Sequence, residues 1–184
     1  YQVGGIVFNG EALSVLRPAR RKKSVLRLLD TLSEQQQRDN HAPAQDEQSA
    51  QTRLDTALTE ARRVAHTGSR IFVISDFLDI SPESGTLLGA LARHNAVSAL
   101  RIVDPLEKEL PKSGRFAVAG PDGPVWFDAG NPRFQRAWHE KVTDHEHRLE
   151  ECFRTSGVTM AEVSTAEDPT VALKLLLGPG GRIG

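Results

Sequence analysis

A three-layer α/β sandwich on an open, mostly parallel sheet is the fold this sequence predicts, and three observations predict it. Arg70-Ile-Phe-Val-Ile-Ser75 is a continuous apolar run of strand length, the pattern of a strand buried on both faces of a parallel sheet. A leucine-marked segment and a second β-rich run, residues 97–103, follow at the spacing of a βαβ crossover. Strand-like and helical stretches then keep alternating toward the C-terminus, as in Rossmann-like, doubly wound sheets.

The elements can be justified in order. Val3-Gly-Gly-Ile-Val-Phe8 reads as a strand, Asn9-Gly10 as a turn, and residues 12–16 as the returning strand of an antiparallel edge hairpin. Pro18 is expected to open a helix on which Val25, Leu28, Leu29 and Leu32 share a face. Residues 34–49, rich in Gln, Asp and Asn, read as a loop. A second helix follows with Leu54, Ala57, Leu58, Ala61 and Ala65 on one side, closed by Thr67-Gly68. After residues 70–75 come the Leu87, Leu88 and Leu91 helix and the 97–103 strand. Residues 115–118 and 125–128 form a small hairpin around Pro121-Asp122-Gly123. Phe134, Trp138, Val142, His145 and Leu149 run down a long helix that stops at Ser156-Gly157. Residues 158–163 make a last strand and residues 169–177 a last helix. Residues 1–177 are thus expected to be one domain, and 178–184 a flexible tail. The strands at 3–8, 71–75, 97–103 and 158–163 are expected in one sheet, with Ile71-Phe-Val-Ile74 almost wholly buried.

Composition narrows the function classes. The chain has 184 residues, 39% hydrophobic and 26% charged, enough apolar material for a core of its own. With 23 basic and 24 acidic residues, a dedicated nucleic-acid binder is not expected. The single cysteine, Cys152, excludes an internal disulfide framework and any multi-cysteine metal site. No apolar run reaches the roughly 20 residues that span a bilayer, and the N-terminus lacks the pattern of a signal peptide. A cytoplasmic location is expected. The only methionine is Met160, so Tyr1 is not an ordinary translation start, and the chain is expected to be a piece of something longer.

Candidate chemistry collects after the apolar strand. Ligands of open α/β sheets bind at the carboxyl ends of the strands, where Asp76 stands, with Ser75 before it and Asp79 behind. A carboxylate there suits a hard cation such as Mg²⁺; equally, it suits a loop or helix cap. Arg17, Arg20, Arg21, Lys22 and Lys23 form a basic cluster without an aromatic stacking platform, read as a solvated helix start. His139, His145 and His147 do not share a helix face at zinc-ligand spacing; they read as surface residues, with His145 partly buried. Cys152 reads as a core residue.

Ile74-Ser-Asp-Phe-Leu-Asp79, Leu91-Ala-Arg-His-Asn95 and Arg101-Ile-Val-Asp-Pro-Leu-Glu107 with Leu110-Pro111 occur in an order that resembles the domain-of-unknown-function 58 family. Residues 3–8, the basic stretch 18–23 and residues 149–163 fit it too. The resemblance implies a von Willebrand factor A-like domain with a metal-ion-dependent adhesion site. In such sites an Asp-x-Ser-x-Ser motif, a threonine and a later aspartate hold a divalent cation. Asp76 matches the later aspartate, and Thr52 the threonine, with Thr56 a poorer match inside the helix. A plain N-cap is the alternative role of Thr52. No segment matches Asp-x-Ser-x-Ser, and the strand that carries it is expected upstream of Tyr1. A gap is then expected between the strands at 3–8 and 71–75, so that either upstream residues fill it in the full protein or the isolated piece forms a homo-oligomer.

The resemblance implies a non-enzymatic protein-docking module whose partner is a MoxR-type AAA+ ATPase. A metal-assisted hydrolase or phosphotransferase using Asp76 and Asp79 is the alternative. Nucleic-acid binding through the basic stretch is a third reading.

Overall fold

Two glycines set how the chain begins. In the computed structural model, which describes residues 2–8, 13–20, 22–39, 47–120, 123–171 and 174, strand β1 (Val3–Phe8) pairs antiparallel with β2 (Leu13–Ala19). A Cβ on Gly4 would lie 2.8 Å from the Leu16 carbonyl oxygen. One on Gly5 would lie 2.5 Å from Cδ1 of Leu28, on helix α1 (Lys22–Asp39); Gly4, against backbone, needs a glycine, whereas at Gly5 the Leu28 side chain would have to move. Pro18 does not open the helix as expected. It lies in β2 at an irregularity of the ladder, where a missing N–H costs no bond. The Asn9-Gly10 turn lies outside the described residues.

α1 also runs further than expected, to Asp39, through Gln-rich residues that read as a loop. Gln and Glu are good helix formers, and Gln35 is buried, its amide donating to Ser14 Oγ of β2 at 3.2 Å. The predicted apolar face of α1 meets little protein: Val25, Leu29 and Leu32 are exposed, and Leu28 alone of the four turns inward. Helix α2 (Glu47–Val64) follows and buries Leu54, Ala57 and Leu58.

The parallel sheet has the order β3-β4-β7, from β3 (Arg70–Ser75), β4 (Ala96–Val103) and β7 (Thr159–Ser164). Helix α3 (Pro82–Ala92) makes the first crossover. It is opened by a capping box in which Ser81 Oγ accepts from the Glu83 and Ser84 amides. Four-residue helix α4 (Pro105–Lys108), which the sequence reading missed, precedes the antiparallel hairpin β5 (Arg115–Gly120) and β6 (Gly123–Asp128). Helix α5 (Pro132–Ser156) starts at Asn131, whose side chain accepts from the Arg133 and Phe134 amides, and ends at Gly157 in the left-handed region. Stacked rings of Phe116, Phe127, Phe134 and Trp138, with centroids 4.8–6.4 Å apart, fasten the β5–β6 hairpin to α5. Residues 169–171 and 174 are helical. The rest of the expected last helix, and the 178–184 tail, lie outside the described residues.

One core joins α2, α3 and α5 to one face of the sheet: Leu54, Leu58, Val73, Leu88, Leu91, Ala99, Leu149 and Phe153 are its centre. The other face is treated differently along its width. Leu100 and Val163 are buried there, yet Phe72 and Ile74 are 37% and 55% exposed. The expectation that β3 is buried throughout therefore fails. β3 is an edge strand, and no described helix covers its second face, so its continuous apolar run has a solvent side.

A second correction concerns β1, which pairs only with β2 and does not join the β3-β4-β7 sheet. The two strands line a common groove of about 2320 Å³ with α2 and part of α5, so the expected gap between them is present. Among the described residues, no helix is long and apolar enough to cross a membrane.

Burial predicts a contrast in stability. Leu88→Ala, at a fully buried site, should cost about 2–5 kcal/mol. Ile74→Thr should cost less than about 0.5 kcal/mol. Urea denaturation of the two variants checks the pair, and equal losses would mean that β3 is covered after all.

Candidate functional site at the carboxyl end of the sheet

The polypeptide leaves β3 through a turn that is held from inside. Ser75 Oγ accepts the Phe77 N–H at 3.1 Å, and Asp76 Oδ1 accepts the Leu78 N–H at 3.1 Å. Phe77 adopts φ 58, uncommon for any residue but glycine or asparagine. It is tolerated because the ring is fully buried, edge-on to Phe153 with centroids 5.3 Å apart. That anchor leaves Asp76 exposed at the strand end. Its Oδ2 carries no hydrogen bond among the described residues.

Asp79 turns the other way. Its Oδ2 accepts the Leu54 N–H of α2 at 3.2 Å. Burial holds its carboxyl above the ordinary range, and the charges of Asp76 and Asp55 add to this, against two backbone hydrogen bonds. Asp79 thus acts as a brace between the β3 loop and α2. Asp55 braces the next joint, accepting Ser81 Oγ at 2.5 Å and Ser84 Oγ at 2.6 Å at the start of α3. Thr52 lies within α2, and its side chain lies outside the described ones.

The β4 end supplies further groups. Asp104 caps α4 through the Leu106 N–H at 2.8 Å, and Thr165 Oγ1 donates to its other oxygen at 3.3 Å. Glu107 is raised above the ordinary carboxyl value, first by burial and then by the negative charge of Asp76. Its Oε2 is buried without a hydrogen-bond partner.

Beneath this rim lies Arg101, 3% exposed, which binds Glu146 of α5 with two nitrogens at 2.8 and 2.9 Å and Glu162 of β7 at 3.4 Å. Lys108 completes the set on Glu162. The guanidinium holds Glu146 below its usual value. His145 is half-buried, as expected, while His139 and His147 are exposed. Burial, then the Arg101 and Arg148 cations, hold His145 below the ordinary imidazole value, against the pull of Glu146 and Asp76.

The structure therefore brings Asp79, Glu107 and His145 each within electrostatic reach of Asp76; Glu107 and His145 were unforeseen as site residues. Arg101 was not singled out from the sequence either, although a charge inside the apolar run of residues 99–103 is a signal for it. Among the described residues, no three Asp, Glu, His or Cys side chains converge closely enough to hold a metal ion. Cys152 is buried in the core as expected, its thiol pushed up to about 11 by burial. The basic residues Arg20, Lys22 and Lys23 are exposed.

Two outcomes follow for the buried charges. Removing both acids in Glu146→Gln/Glu162→Gln strands a buried cation and should cost about 3–5 kcal/mol, whereas Arg101→Met should cost under about 1 kcal/mol; urea unfolding ranks them. His145 has a folded pKa below its unfolded value of 6.5. The unfolded chain takes up the proton first as pH falls, so stability present above that value is lost as pH drops through the folded one. The unfolding midpoint should therefore decline as pH falls below the unfolded value of 6.5. His145→Gln should flatten that stretch, and an unchanged slope would assign it to other groups.

No curated protein and no solved structure matches this chain. A family model described as "Protein of unknown function DUF58" matches residues 1–148, most of the chain, which therefore belongs to the DUF58 family.

Proposed function

We propose that the chain is a protein-docking module of the von Willebrand A type that presents the carboxyl-end rim of β3 and β4 to a partner protein. One observation carries the reading: Asp76 is exposed, oriented by the Leu78 amide, and mounted on a turn anchored by Phe77. A carboxylate held in this way can hold a divalent cation, Mg²⁺ in this reading, with Thr52 as the second ligand. A partner carboxylate would complete the shell. A MoxR-type AAA+ ATPase is the proposed partner, on the family resemblance alone.

Ligand count sets the expected strength. Hard cations want about six oxygens, and the described residues offer one unengaged carboxylate oxygen on Asp76. Residues 1–184 should therefore bind Mg²⁺ weakly by titration calorimetry, and Asp76→Ala should remove what binding there is. In a longer polypeptide, cation-dependent capture of the ATPase should disappear with the same substitution. Tight Mg²⁺ binding that survives Asp76→Ala would place the site elsewhere.

A second reading, metal-assisted hydrolysis or phosphoryl transfer with Asp76 and Asp79, gains from one observation. His145, held toward its neutral form, lies within electrostatic reach of Asp76 and could serve as a base. Asp79, however, is engaged with the α2 backbone. Turnover of p-nitrophenyl phosphate lost in both Asp76→Ala and His145→Gln would favour this reading; no turnover together with cation-dependent docking would favour the first.

A further inference from the structure

The outward face of α1 is apolar where a solvated helix is polar. Val25, Leu26, Leu29 and Leu32 are all exposed, Leu26 and Leu29 by 56% and 54%. Spacings of four and three residues put Val25, Leu29 and Leu32 in one row, and Leu26 stands beside Leu29 by the same rule. The inward face is a different one, with Leu28 on Gly5 and Gln35 on Ser14. Val25, Leu26 and Leu29 are not among the residues that line the groove between β1 and β3. Single exposed leucines are ordinary, but a contiguous row marks an interaction face.

The charges beside the row describe what covers it. Arg17 and Arg20 lead into α1, and Lys22, Lys23 and Arg27 occupy its first two turns. All five are exposed, and none has a side-chain hydrogen bond or ion pair among the described residues. Asp30, Glu34 and Asp39, the acids of α1, come after them. Cations in a first turn oppose the helix dipole, a conflict that an anionic surface removes. A nucleic acid would answer the cations and leave the leucines in water. Protein interfaces favour aromatic and methionine anchors, and α1 has neither. A surface that is anionic outside and apolar just beneath answers both features, and no described helix is apolar enough to go deeper.

We infer that α1 docks this chain on an anionic lipid surface. The helix lies in the interface, with Val25, Leu26, Leu29 and Leu32 toward the acyl chains and the five cations on the headgroups. The inference rests neither on a cation at Asp76 nor on a partner at the β3–β4 rim.

Co-sedimentation of residues 1–184 with lipid vesicles tests it. The chain should bind vesicles of equimolar phosphatidylserine and phosphatidylcholine, not vesicles of phosphatidylcholine alone, and should bind less as salt rises. Leu26→Gln/Leu29→Gln should weaken binding on the order of 10-fold. Lys22→Gln/Lys23→Gln should weaken it about 25-fold, at about fivefold per cation. These positions are exposed, so the unfolding midpoint should hold in both variants. Val118→Gln, at an exposed site on the β5–β6 hairpin, should leave binding unchanged. Absent binding, equal binding to the two lipids, or full binding by the leucine variant would overturn the inference. A dimer of residues 1–184 that the leucine variant dissolves, with no vesicle binding, would overturn it too and assign the face to a second copy.

Discussion

Arg101 lies within the apolar stretch 99–103 of β4, almost wholly out of water, and the carboxyl end of the sheet is arranged around neutralising it. An unpaired guanidinium there would cost several kcal/mol. The two glutamates that answer it come from different elements, Glu146 from α5 and Glu162 from β7. The charge therefore specifies how the long helix and the last strand sit against β4, where leucines alone would tolerate several packings. His145 occupies its place because its neighbour on α5 is committed to Arg101. The same cation that positions the imidazole also disfavours its proton. One ion cluster thus sets both the geometry and the electrostatics beneath Asp76.

How much of this was legible depends on what each residue signals locally. Strands β3, β4 and β7 show as apolar runs of strand length and helices α3 and α5 as apolar residues at helical spacing, and their existence and order follow from these. Asp76 was marked by the rule that parallel sheets bind at their carboxyl ends. Phe77 was not, because a left-handed backbone is expected of glycine or asparagine, and only the tertiary contact with Phe153 sustains it here. Glu107 and His145 became neighbours of Asp76 through folding, and no spacing rule connects three segments so far apart. Pro18 misled because proline suits a helix start and a strand irregularity equally. The apolar run of β3 misled because it looks the same whether the second face is covered or open.

The two hairpins are attached by different physics. β5–β6 rides on α5 through a stack of aromatic rings, a broad contact that tolerates small shifts. β1–β2 is held by close approach, with Leu28 seated directly on Gly5, so a side chain at Gly5 would have to displace the Leu28 side chain. The loop carrying Asp76 rests between a deeply buried ring on one side and the Asp79 brace on the other. It is thus a rigid presenter at the edge of a sheet whose neighbouring strands are less firmly tied.

The lone thiol of Cys152 lies between α3 and α5, where a Cβ placed on Gly85 would come 3.4 Å from its sulfur. Burial keeps it protonated across the physiological range, so it is a poor nucleophile while the fold is closed. Solvent reaches the sulfur when the two helices part. The rate at which a thiol reagent modifies this chain is therefore a clock for the separation of α3 from α5, an intrinsic reporter of core opening that needs no added label.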